Sequence, residues 1–431
     1  MPDSAGVENT SVPAMLAPPA PRPTWRDNPL TRSVPGMVGL GFLTLMFAAC
    51  LLTLPWTLGQ VAIGGDGGRV PRYNAGLPTH GRLPPAWWPR EWWSRSDAET
   101  VRLNRLVDGA AVESIAGDAG VSPGDVVERV EGEAAADLRG AWPSYFLGTD
   151  PLGRSLWVRL LTGGGISLAV GIAAAALSVV IGTLYGAVAG YVGGRVDAVM
   201  MRIVDILYGL PYILLIVLLA VAVDAAVENM VASRVESVSA AREAWVTQQV
   251  GSMSAADSED ARRDLAEAAL DRFGTGELSA GTLAFINVLT LLVAIGGVSW
   301  LTMSRVIRGQ VLSLKAQPFV EAARAMGTPT PRIFVRHLLP NLLGPIIVYA
   351  TLTVPQAILQ ESFLSFLGIG VKPPLPSWGN LAADGLSELN TFRSNWWLLL
   401  FPCVLLASTL LAMNFVGEGL REAFDPKRSR R

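Results

Sequence analysis

Long apolar runs alternate with polar stretches along this chain. The runs fall at roughly 34–58, 166–191, 199–223, 282–303, 342–367 and 396–416. Each reaches or approaches the ~20 residues that a helix needs to cross a bilayer. The pattern predicts an all-α polytopic membrane protein with six transmembrane helices: the first at 34–58, the second and third within 148–223, and the fourth to sixth within 282–420. Residues 1–33 are rich in Pro, Ser and Ala, and read as a disordered tail. The length of run 34–58 and the long tail before it favour a retained anchor over a signal peptide. Two polar insertions, 59–147 and 224–281, project from one side. In the first, charged, Ala- and Val-rich sequence at 103–138 predicts short helices with a turn at 120–124. In the second, Ala, Glu and Arg recur at helical spacing, most clearly over 258–273. Both solvated loops and a small cap fit these insertions.

Charge orients the chain. Between 305 and 340, Arg305, Arg308, Lys315, Arg324, Arg332 and Arg336 face the single acid Glu321. The tail at 421–431 is also basic, whereas 224–280 carries eleven acids against five arginines. The positive-inside rule therefore predicts that the Glu321 loop and both termini are cytoplasmic and that the insertions are extracytoplasmic. Overall, 51% of residues are hydrophobic and 16% charged, and the net charge of −2 gives no argument for nucleic acid. Cys50 and Cys403 both lie in apolar runs and read as small buried hydrophobes. His80 and His337 are too far apart in sequence to suggest a metal cluster. The chain has no P-loop, so any ATP must be handled by another protein.

Three polar features stand out. The first is the loop 319–341, where Phe319 to Met326 are strong helix formers with an apolar face. Gly327 supplies a stop, and Thr328-Pro329-Thr330-Pro331 predicts a second helix opened by a hydroxyl cap with Pro in its first turn. The small Ala322 and Ala323 suit close approach by a partner, and Glu321, Arg324, Arg332 and Arg336 suit charge-assisted anchoring. A basic loop on lipid headgroups is the plainer reading of the same charges. The second feature, Phe146 to Ser155, is rich in turn residues, and a structural turn explains Asp150 and Arg154 better than substrate contact does. The third is Glu361 beside Gln360, inside the fifth run. An ionisable group at membrane depth is a candidate to face a pathway or a partner, or to cap a helix end. Gly171, Gly182, Gly186 and Gly190 predict tight packing of the second helix, and Pro211, Pro345 and Pro355 are candidate kinks.

Glu321-Ala322-Ala323, followed by Gly327 and Leu339-Pro340, resembles the EAA loop of bacterial ATP-binding-cassette importer permeases. Leu147 to Ser155 resembles the Leu-Gly-Thr-Asp-x-x-Gly-Arg-Asp segment of the dipeptide, oligopeptide and nickel permeases, with Ser155 where Asp is usual. Gly190 to Gly194 with Asp197, Met201, Arg202 and Asp205 is similar to a further family segment, as are Ser362 to Asn380 and Asn414 to Pro426. The resemblance covers about 145–212 and 282–427, is closest to the second permease subunit of that group, and includes neither insertion.

The resemblance implies a type I importer permease fold in the bacterial inner membrane, working by alternating access without covalent chemistry. It also implies a homologous second permease, two ATPase subunits that hold ATP and Mg, and an extracytoplasmic solute-binding protein. The 319–341 loop, including Arg332, Arg336 and Pro340, would couple to the ATPase. This chain would carry no cofactor, and peptides would be the leading solute. The competing expectations are an ATP-independent secondary transporter or channel, and a membrane-anchored enzyme with its site in the insertions.

Overall fold

A computed structural model describes residues 34–63, 68–88, 144–251, 258–389 and 394–424. The expected tail at 1–33, the expected helices at 103–138 and the basic residues after 424 lie outside the described residues. Six helical spans are long and apolar enough to cross a membrane. They are built from α1 (Val34–Thr57), α2 (Leu156–Val192), α4 (Tyr212–Val250), α6 (Ala280–Lys315), α9 (Leu339–Phe366, extended at its start) and α11 (Trp397–Phe424). Shorter helices join them: α3 (Gly194–Tyr208), α5 (Ser258–Phe273), α7 (Pro318–Ala325), α8 (Thr330–Ile333) and α10 (Trp378–Ser387).

The α2–α6 pair forms the centre, as the glycine pattern predicts. A Cβ at Gly186 would lie 2.3 Å from the Ser304 carbonyl oxygen, so only glycine lets the two backbones approach this closely. The α9 helix packs on both partners, and α1, α10 and α11 close the far side. Trp378 opens α10 fully buried, and its Nε1 donates to the Leu160 carbonyl of α2 at 3.2 Å.

The third run differs from its expectation. It is not one helix over 199–223 but two, divided at Gly209-Leu210-Pro211. Pro211 has no N–H to continue the ladder and keeps Leu210 out of helical geometry, so α3 stops and the membrane span restarts at Tyr212. Pro211 is thus a divider rather than a kink, whereas Pro345 and Pro355 lie inside α9. Arg195, Asp197, Arg202 and Asp205 belong to α3, an amphipathic helix outside the spans.

The α4 helix then runs for 39 residues. That is about 58 Å, nearly twice the apolar thickness of a bilayer. The second insertion is therefore the continuation of a membrane helix, and α5 folds back on it. Trp245 and Phe273 meet edge to face at 6.3 Å, with the Arg272 guanidinium 5.7 Å from the Trp245 ring. Lys372, in the α9–α10 connection, holds the base of this hairpin through an ion pair to Asp224 at 2.9 Å. The described part of the first insertion begins with a two-stranded antiparallel hairpin, β1 (Gln60–Ile63) and β2 (Gly68–Pro71). It then returns to the bundle, where Thr149 N–H donates to the Leu83 carbonyl at 2.9 Å and Arg82 N–H to the Asp150 carbonyl at 2.9 Å.

Candidate functional site

At one end of the bundle, α7 and α8 form the loop singled out in the sequence. Pro318 starts α7, Glu321 sits in its first turn and Arg324 in its last, each matching the helix dipole. The helix closes in a two-bond C-terminal motif: Thr328 N–H reaches the Ala323 carbonyl at 3.1 Å and Gly327 N–H the Arg324 carbonyl at 2.9 Å. Gly327 takes φ +74°, the left-handed conformation that this motif requires. The expected hydroxyl cap on the second helix is not made. Pro329 occupies the N-cap, with extended backbone and no side-chain bond. Nor is the second half a separate surface helix, since α8 continues through a π turn, Phe334–Leu338, into α9. In that turn Leu339 N–H bonds the Phe334 carbonyl, five residues back. Pro340 follows with no N–H to give, which favours a change of ladder register here.

The loop splits into two faces. Val320, Ala323, Ile333 and Leu338 are buried against Met303, Ile307 and Val311 of α6. Ala323 is therefore an internal packing residue, which corrects its expected place on a partner surface; Ala322 is exposed. Glu321, Arg332, Arg336 and Pro340 are also exposed, and the three charged side chains have no ion-pair partner among the described residues. Arg324 lies over the Tyr191 ring at 5.0 Å. Met326 projects with 77% of its surface open.

At the opposite end, Asp150 is 2% exposed and collects four donors. Its Oδ1 accepts from the N–H groups of Leu152 at 3.0 Å and Arg154 at 2.9 Å. Its Oδ2 accepts from Arg154 Nε at 2.7 Å and Arg159 Nη1 at 2.6 Å. Arg154 Nη1 also reaches Asn74 Oδ1 at 2.9 Å. Asp150 and Arg154 thus lock the turn to the first insertion and are closed to a solute. Arg159, unnoticed in the sequence because it precedes the apolar run, lies in the first turns of α2 and is the main charge partner here. Its second neighbour is Asp384, at 3.7 Å. Nearby, Arg82 grips Glu388 with Nε and Nη2 at 2.7 and 2.8 Å, and these hydrogen bonds hold the Glu388 carboxyl below its usual range.

Between the two ends, a cavity of about 470 Å³ opens among α3, α4, α6 and α9. Gln360 lines it and Glu361 does not. Glu361 is fully buried, accepting from Ser365 Oγ at 2.7 Å and Ser362 Oγ at 3.3 Å, with Ser167 and Ser377 hydroxyls completing the cage. It ties α9 to α2 and to the start of α10, away from the cavity lining. Gln360 Nε2 donates to Tyr212 Oη at 2.9 Å, and Tyr212 Oη lies 2.8 Å from Ser299 Oγ. That triad joins α9, α4 and α6. Thr302, Thr353 and Gln356 extend the polar lining, Tyr208, Tyr349, Met303 and Leu352 supply the rest, and none of these side chains is charged. Sequence reasoning found only Gln360, because neutral polar residues scattered over four helices give no local signal. Among the described residues, no three His, Cys, Asp or Glu side chains converge as metal ligands.

Comparison with known proteins places these features in a family. The model of the family described as binding-protein-dependent transport system inner membrane component matches residues 182–430, more than half of the chain. The oligopeptide transport system permease protein of Salmonella typhimurium is 55% identical over 141 residues, which are 33% of this chain and 46% of that protein. The corresponding oligopeptide permease of Bacillus subtilis is 45% identical over 141 residues, 33% of this chain and 45% of its own length. The dipeptide transport system permease protein of Bacillus subtilis is 47% identical over 138 residues, 32% of this chain and 42% of its own length. The chain thus matches a little under half the length of each of these relatives. With six apolar spans and a family match that includes the α7–α8 loop, the chain belongs to the inner membrane components of binding-protein-dependent transport systems.

Proposed function

We propose that this chain is one permease subunit of an ATP-driven importer of di- or oligopeptides. The observation that carries the reading is the α7–Gly327–α8 loop. It presents Glu321, Arg332 and Arg336, without ion-pair partners among the described residues, at the end of the bundle, and its second half is continuous with α9, which lines the cavity. A partner that grips the loop therefore moves a cavity wall directly. The partner is a separate ATPase, one of two that bind ATP and Mg, because this chain's sequence has no P-loop. A homologous second permease completes the pathway, and an extracytoplasmic binding protein delivers the solute. The excess of Lys and Arg near α7 supports a cytoplasmic loop and cytoplasmic termini, with the α4–α5 hairpin outside, where it helps to seat the binding protein.

Peptide as solute rests on the names of the relatives and on the cavity. Its Gln, Ser, Thr and Tyr side chains can exchange hydrogen bonds with peptide amides, and no charged group selects against acidic or basic side chains. The same lining weighs against an ion-coupled secondary transporter, which needs a carboxylate on the pathway. To test the coupling role, Glu321→Ala and Gly327→Val are compared with wild type for co-purification of the ATPases and for ATP-dependent uptake of tri-alanine. Both variants are expected to lose ATPase and uptake together. Unchanged assembly with unchanged uptake contradicts the reading.

A further inference from the structure

The α3 helix is held in an unusual way. Of its fifteen residues, only Val204 is buried. Directional polar links fix it instead. Arg308 of α6 grips Asp197 with both Nε and Nη2, at 2.5 and 2.6 Å. Arg305, one turn earlier on α6, bonds Asp205 at 2.8 Å and lies over the Tyr208 ring at 4.2 Å. Tyr185 of α2 donates from its hydroxyl to the Met200 carbonyl at 2.9 Å. Asp197 and Asp205 are about 12 Å apart along α3, whereas the two arginines are about 4.5 Å apart along α6. The guanidinium groups therefore splay, and a splayed pair of bonds resists both sliding and rotation of α3.

Both ends of this arrangement meet moving parts. Tyr208 closes α3 and lines the cavity next to Tyr212. Below the ladder, Lys315 Nζ donates to the Gly190 carbonyl at 2.7 Å, joining the end of α6 to the end of α2. The adjacent Tyr191 ring carries Arg324 of α7. The buried face of α7 also packs on Met303, Ile307 and Val311, the stretch of α6 that bears Arg305 and Arg308.

We propose that the Arg308–Asp197 and Arg305–Asp205 pairs form a strut that carries displacement of the α7–α8 loop to the Tyr208 rim of the cavity, making these four residues positioning residues for transport. The inference rests on the proposed ATP-driven import and adds a second route to the direct one through α8 and α9. The direct route moves α9; the strut moves α3 and the start of α4, the opposite wall. The Arg305–Asp205 pair is open, at 38% and 56% side-chain exposure, and contributes little to stability, whereas the two-point Arg308–Asp197 pair, at 34% and 13%, contributes more. The test therefore separates a loss of coupling from a loss of folding.

The test uses the complete transporter in proteoliposomes and reads tri-alanine imported per ATP hydrolysed, with ATPase co-purification as the check on assembly. Asp197→Ala and Arg308→Ala are expected to assemble and hydrolyse ATP while import per ATP falls about fivefold or more. The charge swap Asp197→Arg with Arg308→Asp is expected to restore coupling to within about twofold of wild type. Wild-type coupling in the single variants, or an assembled swap that stays uncoupled, overturns the strut. Should a single variant fail to assemble, Arg308→Lys keeps the charge but loses the two-point bond, and wild-type coupling there overturns it as well. A wild-type transporter that shows no ATP-dependent uptake is a different outcome and refutes the import reading itself.

Discussion

Four donors converge on the Asp150 carboxylate, and two of them are guanidinium groups with little solvent of their own. Removing the carboxylate leaves Arg159 buried beside only a 3.7 Å neighbour. Asp150→Ala is therefore expected to destabilise the purified protein by about 3–5 kcal/mol, read as a lowered midpoint of thermal unfolding in detergent. Loss of transport at unchanged stability would instead return Asp150 to the pathway. Glu361 makes the converse case: Glu361→Gln keeps a hydrogen-bonding group within the serine cage, and uptake is expected to stay within about twofold of wild type. A tenfold or greater loss, on the order of a deleted charged contact, would mark a solute ligand. Both residues were visible in the sequence, one as a turn former and one as a misplaced charge. Some of their partners were not: Arg159 was passed over because it precedes the apolar run, and Ser167 and Ser377 come from segments far from Glu361 along the chain.

Glu388 adds a pH dependence at the same scale. Its carboxyl is held below the ordinary range by Arg82, so its folded form keeps the proton off more strongly than its unfolded form. The stabilisation is complete above the ordinary glutamate range and is lost as pH falls through the lowered value. Arg82→Ala should flatten that acid limb in a plot of unfolding midpoint against pH. An unchanged limb would show that the pair contributes nothing.

At the level of elements, the α2–α6 contact depends on small side chains. Gly186→Val is expected to force the two helices apart and cost about 1–3 kcal/mol or more, measurable as reduced yield and a lower unfolding midpoint. Wild-type stability would mean that the helices are less tightly apposed than described. Six spans were legible from hydropathy alone, although the third run is centred on the break at Pro211 rather than on its helix. Their ends were less so. The third run read as one helix because Val199 to Val223 is apolar on average, although Gly209-Leu210-Pro211 already carried the break. The helix at Ser258–Phe273 was read correctly from its spacing. The rigid extension of α4 through Val250 was not, because hydropathy falls where the helix leaves the membrane while helix propensity does not. The loop was legible as helix, glycine stop and second helix, but not the burial of Ala323, since small residues give no clue to which face they occupy.

At the scale of the whole molecule, the bundle has a charged, exposed loop at one end and a locked ionic cluster at the other. A neutral polar cavity lies between them. The loop reaches that cavity by two walls: α9 through a continuous helix, and α3 through the ion ladder. The ionic cluster joins α2, α10 and the first insertion into one block, which gives the moving walls something fixed to move against. In the proposed import cycle a separate ATPase supplies the force. The most direct test is uptake of tri-alanine into proteoliposomes that hold the complete transporter, its binding protein outside and ATP enclosed. The account predicts uptake that requires both ATP and the binding protein and that is abolished when the ATPases are left out. Uptake by this chain alone, without ATPase, would contradict it.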